Sequence, residues 1–240
     1  MSKNLKIFLG ASYLFILFYF LYLIFTAIEI NRLDDFTYYK EIQSDLETYI
    51  STNTITNLIY FFIFSVIWVT LLGFGSPILI ISGILFGQII GTLISVFSIS
   101  IGALILYSIG NFFFRDLVKS ILEKKFNRYI ELFKKNEFFY FFIYRFIGGL
   151  GVPFGLQNLI PILFGMKKTN YFFASFFGFI PGFFIINTIG AGLNNYISEA
   201  DNFSMIDFIF TPEIYLPIIM FSILMFFSII IKKKFFNDTN

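Results

Sequence analysis

Gly148-Gly149-Leu150-Gly151-Val152-Pro153 interrupts a segment, residues 138–165, that is otherwise apolar enough to enter a membrane. An earlier apolar segment, residues 57–87, is interrupted in the same way by Gly73-Phe74-Gly75-Ser76-Pro77. Each copy then continues as an apolar run that ends in Ile-Leu-Phe-Gly, and the second run is two residues longer. Because glycine permits a turn and proline removes a backbone donor, we expect two helical hairpins. The residues expected at the breaks are Gly75, Pro77, Gly149, Gly151 and Pro153. Breaks at matching positions in two halves are typical of inverted-repeat transporters, whose site lies between them.

The composition predicts a membrane protein. Of the 240 residues, 58% are hydrophobic and 13% are charged, and the apolar runs are about 20 residues long, enough to cross a bilayer as helices. We therefore expect an all-α polytopic membrane protein. The chain has no cysteine and no histidine, and no Asp or Glu lies in an apolar segment. Disulfides, the common zinc ligands, protease dyads and serine–histidine pairs are thereby excluded, so we expect no cofactor, no metal and no enzymatic activity.

The apolar runs divide the chain into three regions. Residues 1–56 hold an uncleaved transmembrane anchor and an external segment, residues 57–195 hold the two hairpins, and residues 196–240 hold a C-terminal transmembrane helix and a basic tail. The helices expected to span the membrane are 7–28, 88–114, 171–192 and 214–231, and the third of these is expected to be interrupted by Gly178, Pro181 and Gly182. Small or helix-breaking residues expected at close helix packing are Gly83, Gly87, Gly91, Gly178 and Pro181.

Residues 115–137 have the pattern of an amphipathic helix. Seven basic residues accompany four acidic ones, and the apolar residues recur at helical spacing: Val118, Leu122, Phe126, Tyr129, Ile130 and Phe133. We expect a cytoplasmic helix that lies on an anionic membrane leaflet. An ordinary solvated connector remains the alternative.

The distribution of charge predicts the topology. With the N-terminus in the cytoplasm, 14 of the 17 basic residues lie inside, and the external segments 29–56 and 193–213 hold ten acidic residues against two basic ones. This arrangement follows the positive-inside rule and places both termini in the cytoplasm of a bacterial-type inner membrane. It also requires the first hairpin to enter from outside and the second from inside, which is an inverted repeat.

Arg145 is the basic residue that this charge distribution does not explain. It lies eight residues after Glu137, about 12 Å into the apolar layer if the limb is helical. A buried arginine in a membrane costs about 3 kcal/mol or more, and it therefore needs a partner. Its partners could be backbone carbonyls, the amides of Gln157 and Asn158, or an incoming anion such as a phosphate, which fits the guanidinium fork. A structural role at the break, or snorkelling to the interface, remains the alternative.

Polar side chains elsewhere in the apolar segments could line the same space as Arg145. Gln157 and Asn158 follow the second break, and in lipid such amides indicate either a polar cavity or a hydrogen bond that holds the hairpin shut. The other candidates are Ser76, Ser82, Asn187 and Thr188.

The order of these features resembles a known family. Pro77 leads to Gly83-x-x-Phe86-Gly87-x-x-x-Gly91. After these come Gly102, the basic helix, Tyr144-Arg145-Phe146, Pro153-Phe154, Asn158, Gly178-x-x-Pro181 and Gly190. This pattern, over about residues 57–195, is similar to the VTT-domain branch of the DedA superfamily, formerly the SNARE-associated Golgi protein family. The resemblance implies two opposed reentrant hairpins and the movement of lipids across the bilayer, either phospholipid scrambling or polyprenyl-phosphate recycling with proton-linked membrane homeostasis.

The sequence departs from the proton-dependent branch of that family, because residues 58–87 contain no acidic side chain. We therefore expect a lipid transporter or scramblase without proton coupling, in which Arg145, Gln157 and Asn158 bind a phosphate head group. A transporter of small solutes or ions, and a structural or interaction protein that uses residues 115–137, are the alternatives. The expected partners are membrane lipids rather than nucleic acid. The sequence leaves open whether the protein forms a homo-oligomer.

Overall fold

The computed structural model describes residues 3–27, 35–200 and 204–236. Within these residues every regular element is helical, which confirms the all-α class. The elements are α1 (Lys3–Ala27), α2 (Phe36–Thr52), α3 (Thr54–Leu72), α4 (Ser76–Lys135), α5 (Glu137–Phe146), a 3-10 turn (Gly148–Gly151), α6 (Phe154–Leu159), α7 (Pro161–Phe164), α8 (Lys168–Glu199), α9 (Met205–Phe210) and α10 (Pro212–Phe236).

Three of the described helical segments are long and apolar enough to cross a membrane: Thr54–Leu72, Ser76–Asp116 and Lys168–Glu199. Shorter apolar helical stretches lie at Phe8–Leu23, Phe154–Phe164 and Pro212–Phe227. A helix of α3's length extends about 28 Å, close to the thickness of a bilayer's hydrocarbon core. The lengths and composition of these described helices are therefore compatible with a membrane protein.

The first break ends α3 and starts α4. Gly73 takes a left-handed conformation (φ 70°) and its N–H caps the carbonyl of Val69, while Pro77 occupies the first turn of α4, where no backbone donor is needed. The chain reverses here, because the ring of Phe86 returns to within 5.3 Å of the ring of Phe61 near the start of α3.

A second reversal, at Gly87, was not expected from the sequence. Gly87 is the one non-helical residue inside α4 (φ 72°, ψ 179°), and the Ser82 and Ser95 hydroxyls on either side of it lie 2.7 Å apart. The assignment of Gly87 to helix packing is corrected, since no atom lies within 4 Å of the position that a Cβ would take. Its positive φ, which side chains disfavour, explains the glycine. The segment 57–87 thus consists of most of α3, which is about as long as a bilayer's hydrocarbon core is thick, followed by a short returning limb, residues 76–86.

The second break separates α5 from α6. Gly148, Gly149 and Gly151 all have positive φ, at 73°, 73° and 78°, and the 3-10 turn that contains them reverses the chain. The carboxylate of Glu137, at the start of α5, accepts hydrogen bonds from the Lys167 N–H (3.2 Å) and the Asn170 amide (2.6 Å). Residues 137–167 therefore leave one end of the molecule and return to it. The outgoing limb α5 is about 15 Å long, half of a bilayer's hydrocarbon thickness.

Each break is followed by a short helical limb. A proline lies in the first turn of one limb (Pro77) or directly before the other (Pro153), a glycine of positive φ ends each limb (Gly87 or Gly165), and a long helix follows. The long helices pack against each other in opposite directions: Phe97 contacts Phe176, and Tyr107, further along α4, contacts Tyr171, earlier in α8, each ring pair at 4.6 Å. Tyr107 and Tyr171 belong to the buried core, and Phe176 packs against it.

Two further expectations are corrected. Residues 115–135 are not a separate helix, because α4 continues without a non-helical residue from 88 to 135, a length of about 70 Å. The side chains at 117–119 and 121–132 lie outside the described residues, so the membrane-surface location stays a prediction. In α8, Pro181 does not interrupt the helix, which runs unbroken from Lys168 to Glu199.

Candidate functional site

Arg145 lies in the last turn of α5, directly before the second break, and only 3% of its surface is exposed. Its guanidinium donates hydrogen bonds to three neutral side chains: Nη1 to Gln157 Oε1 (3.0 Å), and Nη2 to Asn158 Oδ1 (2.5 Å) and to the Tyr171 hydroxyl (3.0 Å). Arg145 forms no salt bridge with a described carboxylate, so its hydrogen-bond partners in the described part of the chain are all neutral.

These hydrogen bonds join three elements. The Tyr171 hydroxyl, on α8, donates in turn to Asn158 Oδ1 (3.1 Å), on α6. The Gln157 amide donates to the Val152 carbonyl (2.6 Å), which fixes the end of the turn. The outgoing limb, the returning limb and the long helix α8 thus share one buried network.

Aromatic rings surround the guanidinium. Its central carbon lies 4.7 Å from the ring centre of Phe141, 4.8 Å from that of Phe179, 5.4 Å from that of Phe154 and 5.7 Å from that of Tyr171. The negative faces of such rings attract a cation, and each contact is worth about 0.5–2 kcal/mol, depending on desolvation. The rings therefore offset part of the free-energy cost of burying the Arg145 charge, a role that a carboxylate partner would otherwise have.

Two donors in this network have no acceptor among the described residues. Arg145 Nε and Asn158 Nδ2 are both buried without a hydrogen-bond partner. A buried donor without a partner costs about 1–3 kcal/mol, more when it is charged. The cluster consequently has a positive charge and spare donors, which is the chemistry that an oxyanion needs.

Glycines allow the limbs to approach each other around Arg145. A Cβ on Gly178 would lie 2.5 Å from the Arg145 Cβ, and a Cβ on Gly149 would overlap the Gln157 amide. Gly178 thus lies at a close approach of α8 to α5, as its predicted packing role required.

The two breaks are in contact. A Cβ on Gly155 would lie 3.0 Å from the Gly73 carbonyl oxygen, and a Cβ on Gly75 would lie 4.0 Å from the ring of Phe154. Since Phe154 is one of the rings around Arg145, the first break lies next to the Arg145 cluster.

Other predicted residues form a separate cluster. Ser82 donates to Asn187 Oδ1 (2.5 Å), and the Asn187 amide donates to the Phe183 carbonyl (2.8 Å). Asn187 lies about 13 Å along α8 from Gly178, so this cluster is not part of the Arg145 network. Gly83 and Gly91 pack against Asn187, where a Cβ would clash. Thr188 bonds the carbonyl of Phe184 in its own helix (2.8 Å).

Tyr171 is the member of the network that the sequence did not predict. It lies 26 residues after Arg145 and looks like an ordinary interfacial tyrosine at the start of a spanning helix. Its ring stacks on Tyr107 (4.6 Å, 8°), whose hydroxyl donates to the Met166 carbonyl (2.7 Å).

Comparison with known proteins identifies the family. The sequence model of the VTT-domain family matches residues 72–192, just over half of the chain. The matched segment contains both breaks, Arg145 and the three hydrogen-bond partners of Arg145. No curated protein and no solved structure matches the chain. Because the match covers more than half of the chain, the chain belongs to the VTT-domain family of membrane proteins in the DedA superfamily.

Proposed function

We propose that this protein is a lipid transporter of the scramblase type, which moves lipids with phosphate head groups across the bilayer. The observation that carries the proposal is the Arg145 cluster: a buried guanidinium, held only by neutral acceptors, beside the unpartnered donors Arg145 Nε and Asn158 Nδ2. An isolated positive charge in a membrane protein favours an anionic ligand, and a guanidinium can hold a phosphate with two parallel hydrogen bonds.

In the proposed mechanism the structure is the closed state. Gln157 Oε1 and Asn158 Oδ1 occupy the guanidinium fork, and two phosphate oxygens replace them when a head group enters. The released Asn158 side chain can then present its amide to the phosphate. The acyl tails stay in the surrounding lipid, so only the polar head needs a path.

The second break supplies the hinge for this opening. Its three glycines have positive φ, and no atom lies within 4 Å of the position that a Cβ would take at Gly148 or Gly151. The Gln157 amide, which donates to the Gly148 carbonyl (3.3 Å), would be released in the opening. We propose that residues 137–167 form a hairpin that enters the membrane from the cytoplasm and that the first break and residues 76–86 form its inverted counterpart. The contact between the two breaks then marks the thinnest part of the membrane path.

We further propose that lipid movement is downhill and needs no proton. In the described segments Thr54–Leu72, Ser76–Asp116 and Lys168–Glu199 the only acidic residues are Asp116 and Glu199, each the last residue of its segment, and the sequence has no histidine. Intramembrane carboxylates would also be needed for a dedicated cation site, so this composition disfavours a cation transporter.

The competing role for Arg145 is structural, because its hydrogen bonds join α5, α6 and α8. Reconstitution separates the two roles. The protein is inserted into liposomes that contain a trace of fluorescent phospholipid, and a membrane-impermeant reductant reports the fraction of lipid that reaches the outer leaflet. We expect wild-type protein to expose the inner-leaflet probe and Arg145→Ala, at equal folded protein, to leave it protected. Normal movement per folded Arg145→Ala molecule would remove Arg145 from the lipid site.

A further inference from the structure

A lipid-sized groove lies between α1 and α4, outside the Arg145 network. Its volume is about 700 Å³ and it opens to the side of the molecule. Most of the lining residues are apolar, and those that the argument uses are Tyr13 on α1, Ser108 and Phe112 on α4, and Lys168 at the start of α8. The stretch of α4 along the groove, residues 104–113, is about 14 Å long, the depth of one leaflet's hydrocarbon.

The groove has no unsatisfied hydroxyl. Ser108 donates to the Leu104 carbonyl (2.8 Å) and Ser12 to the Phe8 carbonyl (3.0 Å), each within its own helix. Tyr13 donates to the Leu71 carbonyl (2.8 Å) at the end of α3, which anchors α1 and so fixes that wall of the groove. The interior therefore suits a hydrocarbon chain rather than a polar ligand.

The charge is confined to one end. Lys168 is exposed, lines the groove, and makes no ion pair with any residue whose side chain is described. Arg115 is exposed one turn beyond Phe112, on the continuation of the same helix face, although Asp116 lies beside it. An apolar groove with an exposed ammonium at one end is complementary to an anionic lipid.

We propose that this groove holds one anionic glycerophospholipid, with an acyl chain between α1 and α4 and the phosphate at Lys168. The site is separate from the proposed transport site, because no residue of the Arg145 network lines it. The bound lipid would complete the packing of α1 against α4, which share no direct hydrogen bond in the part of the chain that the structure describes.

The chain has no cysteine, which permits a site-specific test on the full-length protein. Phe112→Cys, at the mouth of the groove, carries a small fluorophore, and the protein is reconstituted with phosphatidylglycerol or phosphatidylcholine that bears a nitroxide quencher on one acyl chain. Because a basic residue near an anionic lipid contributes about a fivefold preference, we expect phosphatidylglycerol to be preferred at this position by about that factor. A label at Phe173→Cys, on the lipid-exposed face of α8, is expected to show little preference.

Adjacent lysines supply the matched control. Lys168→Gln should remove the preference at position 112, Lys168→Arg should retain it, and Lys167→Gln, which changes an exposed lysine outside the groove, should leave it nearly intact. Equal quenching by the two lipids in the unmodified background would overturn the proposal. So would an equal loss in Lys167→Gln and Lys168→Gln, because it would assign the preference to the surface charge as a whole.

Discussion

Gly155, in the returning limb of the second break, packs against the Gly73 carbonyl of the first break, at 3.0 Å from the position that a Cβ would take. The two breaks therefore meet without an intervening side chain. In a membrane, where water cannot fill gaps between helices, such small-residue contacts allow the backbones to approach and pack by dispersion.

This contact predicts that Gly155→Ala destabilises the fold. The methyl group would have to displace backbone on one side or the other, and overpacking of this kind costs about 1–3 kcal/mol. Gly182→Ala is the matched control, since nothing lies within 4 Å of its Cβ position. Thermal unfolding of the detergent-solubilised proteins, followed by size-exclusion chromatography, should show a lower midpoint for Gly155→Ala alone. Equal midpoints for both variants would show that the breaks do not depend on this contact.

Substitutions at Arg145 should separate the charge from the guanidinium fork. Arg145→Lys keeps the charge but cannot make two parallel hydrogen bonds to a phosphate, so lipid movement should fall substantially; Arg145→Ala should abolish it. Asn158→Ala should weaken movement less, because a neutral hydrogen bond contributes about 1 kcal/mol against about 1.5–3 kcal/mol for one to a charged group. The measurement is the liposome assay, normalised to folded protein. If activity instead falls in proportion to the loss of folded protein across the series, the role of Arg145 is structural.

The Tyr171 hydroxyl should contribute to the stability of the fold independently of the aromatic ring. Tyr171→Phe removes one acceptor of the Arg145 guanidinium and one donor to Asn158 but preserves the stack on Tyr107. We expect a loss of stability of about 1–3 kcal/mol, seen as a lower unfolding midpoint. Tyr144→Phe is the control, because the buried Tyr144 hydroxyl has no hydrogen-bond partner in the described part of the chain. An equal effect of both substitutions would contradict the importance of the network.

The charge distribution predicts which ends of the helices face the cytoplasm. In the cysteine-free chain, a cysteine at Lys167 should be protected in intact cells from a membrane-impermeant thiol reagent, whereas one at Asp45 should react. Both residues are exposed in the structure, so access differs only through the membrane. Permeabilised cells are the control and should label both. Labelling of the Lys167 position from outside would reverse the topology and the proposed direction of each hairpin.

The sequence by itself determined the class of the protein, the positions of both breaks and the family. Hydropathy sums over many residues, so it identifies spanning helices without knowledge of their neighbours. Gly73 to Pro77 and Gly148 to Pro153 are local signals, because their backbone preferences do not depend on the rest of the fold. Arg145 stood out for a similar reason: a charge in an apolar segment needs a partner wherever that segment lies.

Tertiary structure alone decided what those residues contact. Gly83, Gly87 and Gly91 have the same spacing and chemistry, yet Gly87 turns the chain while the other two pack against Asn187. Sequence spacing does not record whether a neighbour approaches or the backbone reverses. Tyr171 joins the Arg145 network because α8 packs alongside α5, and a hydrogen bond between elements depends on that packing. The amphipathic pattern of residues 115–137 likewise predicted a helix with one apolar face, but not that this helix is the continuation of α4. Helical periodicity is the same whether a helix starts at residue 115 or merely continues through it.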